Sequence, residues 1–292
     1  MKSPRLNIAH IVPVAGNRSI MHGLYGYREV IESVRWGLAD LGCDVTVSEN
    51  GFHGDRTNIV CGVQMLGDAA LARLPAETII YNFEQIGGVR LDALKPEIRT
   101  VADRFRIWDY SEANLPAWKA IGTGREVVHV PVGWAPVLKR IPRVEPQDID
   151  VLFYGLPAPL RLEIFNDLCR QGIKCVFVSG LYGKARDDLI ARAKLVLNIN
   201  QYQSRIFEVV RVSYLLANGK AVVADRQPAT YVEPLLEDAI AFCPPDGMRA
   251  ECERLLDDEP ARRQLEVRGR AAIERRPIAP ILATALERSG LR

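Results

Sequence analysis

The sequence has no long apolar segment, no excess of one charge and no signal-peptide pattern in its first residues, and each of these observations argues against a class of protein. No apolar run reaches the roughly 18 residues that a membrane-spanning helix needs. The first residues lack the long apolar core and the small-residue cleavage site of a secretory signal, so we expect a cytoplasmic protein without a transmembrane segment. Lys and Arg number 38 against 36 Asp and Glu, and this net charge of +2 gives no reason to expect nucleic acid or an anionic membrane as a partner.

Residues that commonly bind metals are also few. The four histidines are scattered, without H-x-x-H or H-E-x-x-H spacing, and the six cysteines form no C-x-x-C pair. We therefore expect reduced, mostly buried thiols and no metal site. The one Asp-x-Asp pair, Asp148 and Asp150, precedes its predicted strand instead of following it. This position does not suit a catalytic metal site at the carboxyl end of a strand.

The length and composition are those of a globular protein with two domains. The chain has 292 residues, of which 48% are apolar and 25% charged, and this is enough for two cores of roughly 130 to 150 residues each. A proline-containing stretch without periodicity, 135–150, is the predicted linker. The predicted parts are a first domain over 1–140, a second domain over 148–276 and a terminal helix over 277–292.

Apolar periodicity predicts strands that alternate with helices in both halves of the chain. The first half has predicted strands at 6–14, 44–48, 58–62, 77–83, 106–110 and 127–132, and predicted helices at 28–41, 69–74 and 96–105. The second half has predicted strands at 150–154, 174–179, 195–200, 221–224 and 239–242, and predicted helices at 162–171, 184–193, 206–217, 248–256, 259–270 and after 277. This alternation is typical of an α/β fold with two Rossmann-like domains. The glycines of the first loop do not form G-x-G-x-x-G, so no dinucleotide site is expected.

The most informative stretch is 194–225, which is predicted to fold as strand, loop, helix, turn and strand. Its helix, 206–217, is apolar all round and should be buried. The single acid of this helix, Glu208, is expected in the first turn, beside free backbone N–H groups at the carboxyl end of the parallel sheet. Ligands of open α/β folds bind at this end of the sheet.

This stretch resembles the donor-binding segment of GT-B type glycosyltransferases, in particular the glycosyl transferases group 1 family. The resemblance rests on Phe207-Glu208, on Ala217-Asn218-Gly219-Lys220 and on Val222-Val223, and it is specific only between about residues 151 and 245. It implies two Rossmann-like domains facing a cleft, a nucleotide-sugar as co-substrate, no cofactor, and a last helix that returns to the first domain. The family's second glutamate is missing, since Leu216 or Tyr214 occupies its place, depending on the direction of counting.

The donor site implied by this resemblance needs hydrogen-bond donors for phosphate and an acid for hydroxyl groups. The predicted donor-binding residues are Gly155, Arg161, Lys184, Asn200, Arg205, Phe207 and Glu208. Five of these residues have a simpler alternative role. The three cations could be surface charges, Asn200 a plain loop amide, and Glu208 a helix cap or the partner of Arg211.

On the acceptor side, His22 in a glycine-rich loop and Glu84 after the fourth strand are the candidate catalytic residues. An inverting transferase needs a base for the acceptor hydroxyl, and either side chain can serve. In a retaining enzyme both would only position substrate. The sugar, the base and the acceptor (glycan, protein, lipid, nucleic acid or small molecule) stay open.

Two other functions compete with a metal-independent glycosyltransferase. The missing second glutamate also fits a catalytically inactive GT-B-like protein that binds nucleotide or acts as a scaffold. A sugar-nucleotide epimerase of similar two-domain architecture is the third hypothesis.

Overall fold

A computed structural model describes residues 3–12, 26–86, 96–200 and 206–292. These residues form two compact units. Unit 1 comprises the described residues up to Val137 together with Pro277–Arg292, and unit 2 comprises the described residues of Leu138–Arg276. No helix in the described part of the chain is long and apolar enough to cross a membrane.

Unit 1 is built on a six-stranded parallel sheet with the strand order β2-β1-β3-β4-β5-β6. The strands are β1 (Arg5–His10), β2 (Asp44–Glu49), β3 (Thr57–Cys61), β4 (Ile79–Asn82), β5 (Arg106–Asp109) and β6 (Val127–His129). The helices of this half are α1 (Arg28–Asp40), α2 (Asp68–Arg73), α3 (Pro96–Arg104) and α4 (Leu115–Ile121). The continuous apolar runs form central strands because both faces of the sheet are covered. β6 ends before Val132, where the sequence predicted its end, because Pro131 has no N–H for the strand ladder.

Unit 2 is built on a five-stranded parallel sheet with the strand order β11-β10-β9-β7-β8. The strands are β7 (Ile149–Tyr154), β8 (Cys175–Val178), β9 (Ala193–Asn198), β10 (Ala221–Asp225) and β11 (Ala241–Cys243). The helices are α5 (Pro159–Arg170), α6 (Gly183–Arg192), α7 (Val209–Ala217), α8 (Met248–Asp257) and α9 (Glu259–Glu274). Two parallel sheets with helices confirm the α/β class predicted from the sequence.

The last helix, α10 (Ile278–Arg288), packs in unit 1. A side chain at Gly37 of α1 would come within 2.7 Å of Ile278, so the glycine permits the two helices to approach closely. Trp108 of β5 donates through its indole N–H to Ser289 Oγ at 2.9 Å. The end of the chain is thus fixed to unit 1 by helix packing and by a buried hydrogen bond.

The helix α7 starts later than the sequence predicted. Ile206 forms an isolated bridge with Tyr231, and the N–H of Phe207 donates to Tyr231 O at 3.0 Å. This pairing holds the backbone outside the helix, which begins at Val209. The placement of Glu208 in the first helical turn was therefore wrong, because Glu208 is the N-cap residue and its side chain makes no capping bond. The predicted burial of the helix is confirmed, and Gly219 ends it with a φ of 62°.

Candidate functional site

The strand order of unit 2 creates a switch point between β7 and β9. The chain leaves β7 to form β8 on one side and then returns to form β9 on the other side. Loops that follow β7 and β9 therefore leave the sheet in opposite directions and open a crevice at the carboxyl ends of these strands. Gly155 and Arg161 follow β7, and Asn200 and Glu208 follow β9. Among the described residues, five of the predicted donor-binding residues, these four and Phe207, therefore follow the two strands at the switch point.

Glu208 lies between two guanidinium groups at this edge. Its Oε1 is 3.4 Å from Arg161 Nη2, and its Oε2 accepts a hydrogen bond of 2.9 Å from Arg211 Nη2. The Glu208 side chain keeps 27% of its surface exposed, and a carboxylate offers about four lone-pair sites. It can therefore accept hydrogen bonds from a ligand while it stays paired with both arginines. The pairing with Arg211 that the sequence analysis considered is confirmed.

Arg161 is a buried cation that holds two loops together. Its side chain is 4% exposed. Its Nε donates to Ile199 O at 2.8 Å, just after β9, and its Nη1 donates to Leu156 O at 2.9 Å, just after β7. These contacts fix the backbone on both sides of the switch point. A direct contact between Arg161 and phosphate stays a prediction.

Arg211 has a larger part in this edge than the sequence indicated. Its Nη1 donates to Tyr154 O at 2.7 Å, and its Nη2 donates to Asn198 Oδ1 as well as to Glu208. The guanidinium therefore joins the ends of β7 and β9 to the start of α7. The Arg211 side chain is 18% exposed. The sequence signal was the i, i+3 spacing from Glu208, which we interpreted only as a structural ion pair.

The backbone conformation and the limited space at position 155 both favour glycine. Its φ is +151°, within the region that L side chains rarely adopt, and an added Cβ would lie 3.1 Å from Arg211 Nη1. A larger residue would strain the backbone and displace the arginine. The glycine thus brings the main chain close to the charged cluster, as a phosphate-binding loop would require.

Amide groups at the end of β9 complete the edge. Asn200 donates from its backbone N–H to Asp225 Oδ1 at 2.7 Å, and burial raises the pKa of Asp225. Three buried polar atoms nearby, Asn198 Nδ2, Asn200 Oδ1 and Arg211 Nε, have no hydrogen-bond partner within the described ranges. Buried polar groups are normally paired, so a ligand or ordered water is expected to bind these atoms.

The remaining predicted donor-binding residues do not join this cluster in the same way. Phe207 is buried, and its ring packs against Phe242 with the centroids 5.1 Å apart. The Lys184 side chain is 87% exposed and pairs with Asp188 at 2.9 Å on α6. Arg205 lies outside the described residues. The roles of these three residues in donor binding stay predictions.

In unit 1, Glu84 follows β4 and is exposed, as a residue that contacts substrate must be. Its carboxylate accepts hydrogen bonds from the Tyr27 hydroxyl and from Gln64 Nε2, the latter at 2.9 Å. Burial of the phenol, and then the neighbouring carboxylate, raise the pKa of Tyr27, so the tyrosine stays protonated and donates. His22, the other catalytic candidate, lies outside the described residues.

A buried acid holds the backbone of Glu84 in place. Asn82 and Asn114 each donate to the Glu84 carbonyl oxygen, at 2.7 and 2.9 Å. Both amides also donate to Asp109, which is fully buried and further accepts from the Trp118 indole at 2.7 Å. Asp109 therefore supports the loop that carries Glu84. Because Asp109 is buried, its role is structural.

Comparisons with known sequences identify no family. No protein-family model matches the chain. Two relatives are uncharacterized proteins of Acanthamoeba polyphaga mimivirus. R358 is 26% identical over 184 residues, which are 61% of this chain and 62% of R358. L138 is 27% identical over 115 residues, which are 38% of this chain and 13% of L138. The matched part of this chain spans less than two thirds of either relative.

Solved structures are similar over nearly the whole chain. AviGT4, a glycosyltransferase involved in avilamycin A biosynthesis, has a TM-score of 0.61 at 15% identity, with 98% of this chain and 97% of AviGT4 covered. Anabaena Alr3699/HepE in complex with UDP has a TM-score of 0.57 at 14% identity, with 97% of this chain and 99% of Alr3699/HepE covered. WaaG, a glycosyltransferase involved in lipopolysaccharide biosynthesis, has a TM-score of 0.55 at 11% identity, with 97% of this chain and 98% of WaaG covered. The chain has the α/β fold of GT-B glycosyltransferases.

Proposed function

We propose that this chain is a glycosyltransferase that moves a sugar from a nucleotide-sugar to an acceptor hydroxyl without a metal ion. The observation that carries the proposal is the cluster of Arg161, Glu208 and Arg211 at the switch point of unit 2. Cations and an acid at this edge match the needs of a donor whose diphosphate is anionic and whose sugar and ribose carry hydroxyls. The fold is shared with the glycosyltransferase AviGT4 and with Alr3699/HepE, whose structure contains UDP, and this similarity supports the same function.

In the proposed reaction the acceptor oxygen attacks the anomeric carbon while the bond from this carbon to the diphosphate oxygen breaks. The leaving diphosphate gains negative charge, which the Arg211 guanidinium would stabilise. Arg161 would act by holding the two loops in position. Glu208 would accept hydrogen bonds from hydroxyls of the sugar or the ribose.

The acceptor hydroxyl must lose a proton in this reaction. In an inverting enzyme Glu84 would take it, since the side chain is exposed and its backbone is fixed by Asn82 and Asn114. Tyr27 and Gln64 would orient the carboxylate. In a retaining enzyme the leaving diphosphate can accept the proton, and Glu84 would only position the acceptor.

The proposal includes catalysis without a metal. Asp148 and Asp150, the one Asp-x-Asp pair, lie at the amino end of β7, away from the carboxyl edge that carries the cluster. Asp148 pairs with Arg192 at 2.6 Å and Asp150 with Lys194 at 2.7 Å. Both carboxylates are thus already neutralised by protein cations. We propose that the arginines, and not a bound ion, stabilise the diphosphate.

One observation favours the alternative of an inactive nucleotide-binding or scaffold protein. The place of the second family glutamate is taken by Leu216 or Tyr214. Leu216 is fully buried. The Tyr214 hydroxyl donates to Asp187 at 2.8 Å. Neither residue replaces a carboxylate, so affinity for a donor could persist without transfer.

A ligand screen with and without chelator tests the proposal. A ligand that binds only the folded state raises its stability by mass action. In EDTA, we expect at least one of UDP, GDP, dTDP, CMP and their sugars to raise the melting temperature, and the matching nucleotide-sugar to be hydrolysed slowly. Stabilisation without any hydrolysis or transfer would favour the inactive alternative. Absence of any stabilisation would refute donor binding altogether.

A further inference from the structure

A second cavity lies at the opposite edge of the unit 2 sheet. Its volume is about 400 Å³. The cavity adjoins residues that precede β7 and β10, whereas the charged cluster follows β7 and β9. Its walls come from the segment before β7, from the end of α7 and from α9, and they include Ile141, Arg143, Asn218, Lys220, Glu266 and Val267.

Specific side-chain bonds hold these walls in place. Asn218 Oδ1 accepts from the backbone N–H groups of Arg140 and Ile141 at 2.9 and 2.8 Å, and its Nδ2 donates to Leu138 O at 2.9 Å. Gln147 Nε2 donates to Ala193 O at 2.7 Å at the other end of the segment. The cavity is therefore built by the fold and does not depend on a loose surface loop.

Lys220 is a buried cation in this cavity without an anionic partner. It is 6% exposed, and its Nζ makes one long hydrogen bond, of 3.4 Å, to Ala191 O. Lys220 makes no ion pair with a described residue, although the nearby Glu266 and Glu145 carboxylates partly offset the fall in its pKa. Burial lowers the pKa of Lys220 to about 8. A buried ammonium that makes no ion pair is unfavourable, so an anion in direct contact with it in the cavity would stabilise it.

The other charges around the cavity leave a positive excess. Four of its residues are cations, namely Lys139, Arg143, Lys220 and Arg270. Its one acid, Glu266, already accepts from Arg143 and Arg263 at 3.2 Å. Arg143 also pairs with Glu145, and Arg270 pairs with Glu274. Lys139 and Lys220 make no ion pair with any residue that the structure describes.

Capping of α7 does not explain why the Lys220 side chain is buried at this position. Cations are favourable at helix C-termini because the last carbonyls are unpaired. Here the backbone N–H of Gly219 donates to Leu216 O at 2.9 Å, and that of Lys220 donates to Leu215 O at 3.1 Å. The ammonium instead reaches the carbonyl of Ala191, which lies at the end of α6.

We propose that this cavity binds a small organic anion, a phosphate monoester or a carboxylate with a compact apolar body. Lys220 would hold the anionic head, and Ile141, Pro142 and Val267 would contact the body. The site is separate from the donor edge, so binding there does not depend on the proposed transferase activity.

Calorimetric titration with phenyl phosphate and with phenylacetate tests the proposal and separates its two head groups. We expect at least one probe to bind with a Kd of about 1 mM or lower. Lys220→Met, which keeps the length of the side chain and removes its charge, should weaken binding about tenfold or more. Lys119→Met, at an exposed lysine on α4 in unit 1, is the matched control and should bind as the wild type does.

Three outcomes would overturn the proposal: neither probe binds at about 10 mM, Lys220→Met binds as the wild type does, or UDP displaces the probe. Should Lys220→Met fail to fold, Val267 offers a second test, since it is 67% exposed and lines the cavity. Val267→Glu should weaken binding of the anion by charge repulsion, and Val267→Gln should not. Equal affinity for these two variants would also contradict the proposal.

Discussion

Replacing Arg161 by Met removes the buried cation that joins the two loops at the switch point. The variant keeps an apolar side chain of similar length over the Phe153 ring, which the guanidinium now covers at 5.3 Å. It loses the hydrogen bonds to Ile199 O and Leu156 O and the ion pair with Glu208. Unit 2 should therefore be destabilised around the ends of β7 and β9.

The expected size of this destabilisation follows from the polar groups that Arg161→Met leaves unpaired. Ile199 is fully buried, so its carbonyl would lose a partner that water cannot easily replace, at a cost of about 1–3 kcal/mol. Leu156 is half-buried, so its carbonyl can partly turn to water and should add less. The pair with Glu208 is long, at 3.4 Å, and adds little. The sum is about 2–4 kcal/mol, which corresponds to roughly 30- to 1,000-fold faster local opening.

Hydrogen exchange followed by mass spectrometry can measure this change where it occurs. Peptides that cover β7 and β9 should exchange faster in Arg161→Met by the factor given above. All four tryptophans, at positions 36, 108, 118 and 134, lie in unit 1, so their fluorescence during urea unfolding reports that unit and should not change. Arg170→Met on the same helix is the control, because its side chain is 69% exposed. Exchange in Arg161→Met equal to that of the control would refute the structural role of Arg161.

Three further predictions concern other parts of the molecule. Glu84→Gln should keep the donor affinity of the wild type and, if Glu84 is the base, should reduce the transfer rate about a hundredfold or more and remove the acidic limb of the pH–rate profile. Transfer at the wild-type rate would place the acceptor site elsewhere. Lys184→Ala should weaken the binding of nucleoside diphosphates more than that of nucleosides, since the lost contact is to phosphate. Equal losses of affinity for the two ligands in calorimetry would exclude that contact. In a buffer without phosphate or carboxylate, the free energy of unfolding of unit 2 in the wild type, relative to that in Lys220→Met, should rise as the pH increases from about 8 towards 10.5, because burial lowers the folded-state pKa of Lys220 and the unfolded state then binds more protons. A pH-independent difference would contradict the burial argument.

The sequence predicted most of the elements because strand and helix periodicities are local properties. The buried runs of β7, β9 and β10 and the amphipathic α8 and α9 are visible in the chain itself. The start of α7 was misplaced because it depends on a contact distant in sequence, the bond from the Phe207 N–H to Tyr231 O. No periodicity within 206–217 contains that information.

The candidate site was predicted only in part for a similar reason. Glu208, Arg161 and Gly155 could be selected because they follow predicted strands. Arg211 was interpreted as a partner of Glu208 alone, since its bonds to Tyr154 and Asn198 depend on which strands are neighbours in the sheet. The burial of Lys220 without an ion pair among the described residues is likewise a property of the packed fold.

The most direct measurement of the central claim is donor affinity of Glu208→Ala in EDTA, using the nucleotide-sugar that stabilises the wild type. If unit 2 holds the donor at the switch point without a metal, calorimetry should show binding by the wild type and a loss of about 1–3 kcal/mol in the variant, which is about 5- to 150-fold in Kd. The variant should retain the secondary structure of the wild type by circular dichroism. Equal affinity in a folded Glu208→Ala, or wild-type binding that disappears with EDTA, would contradict the account.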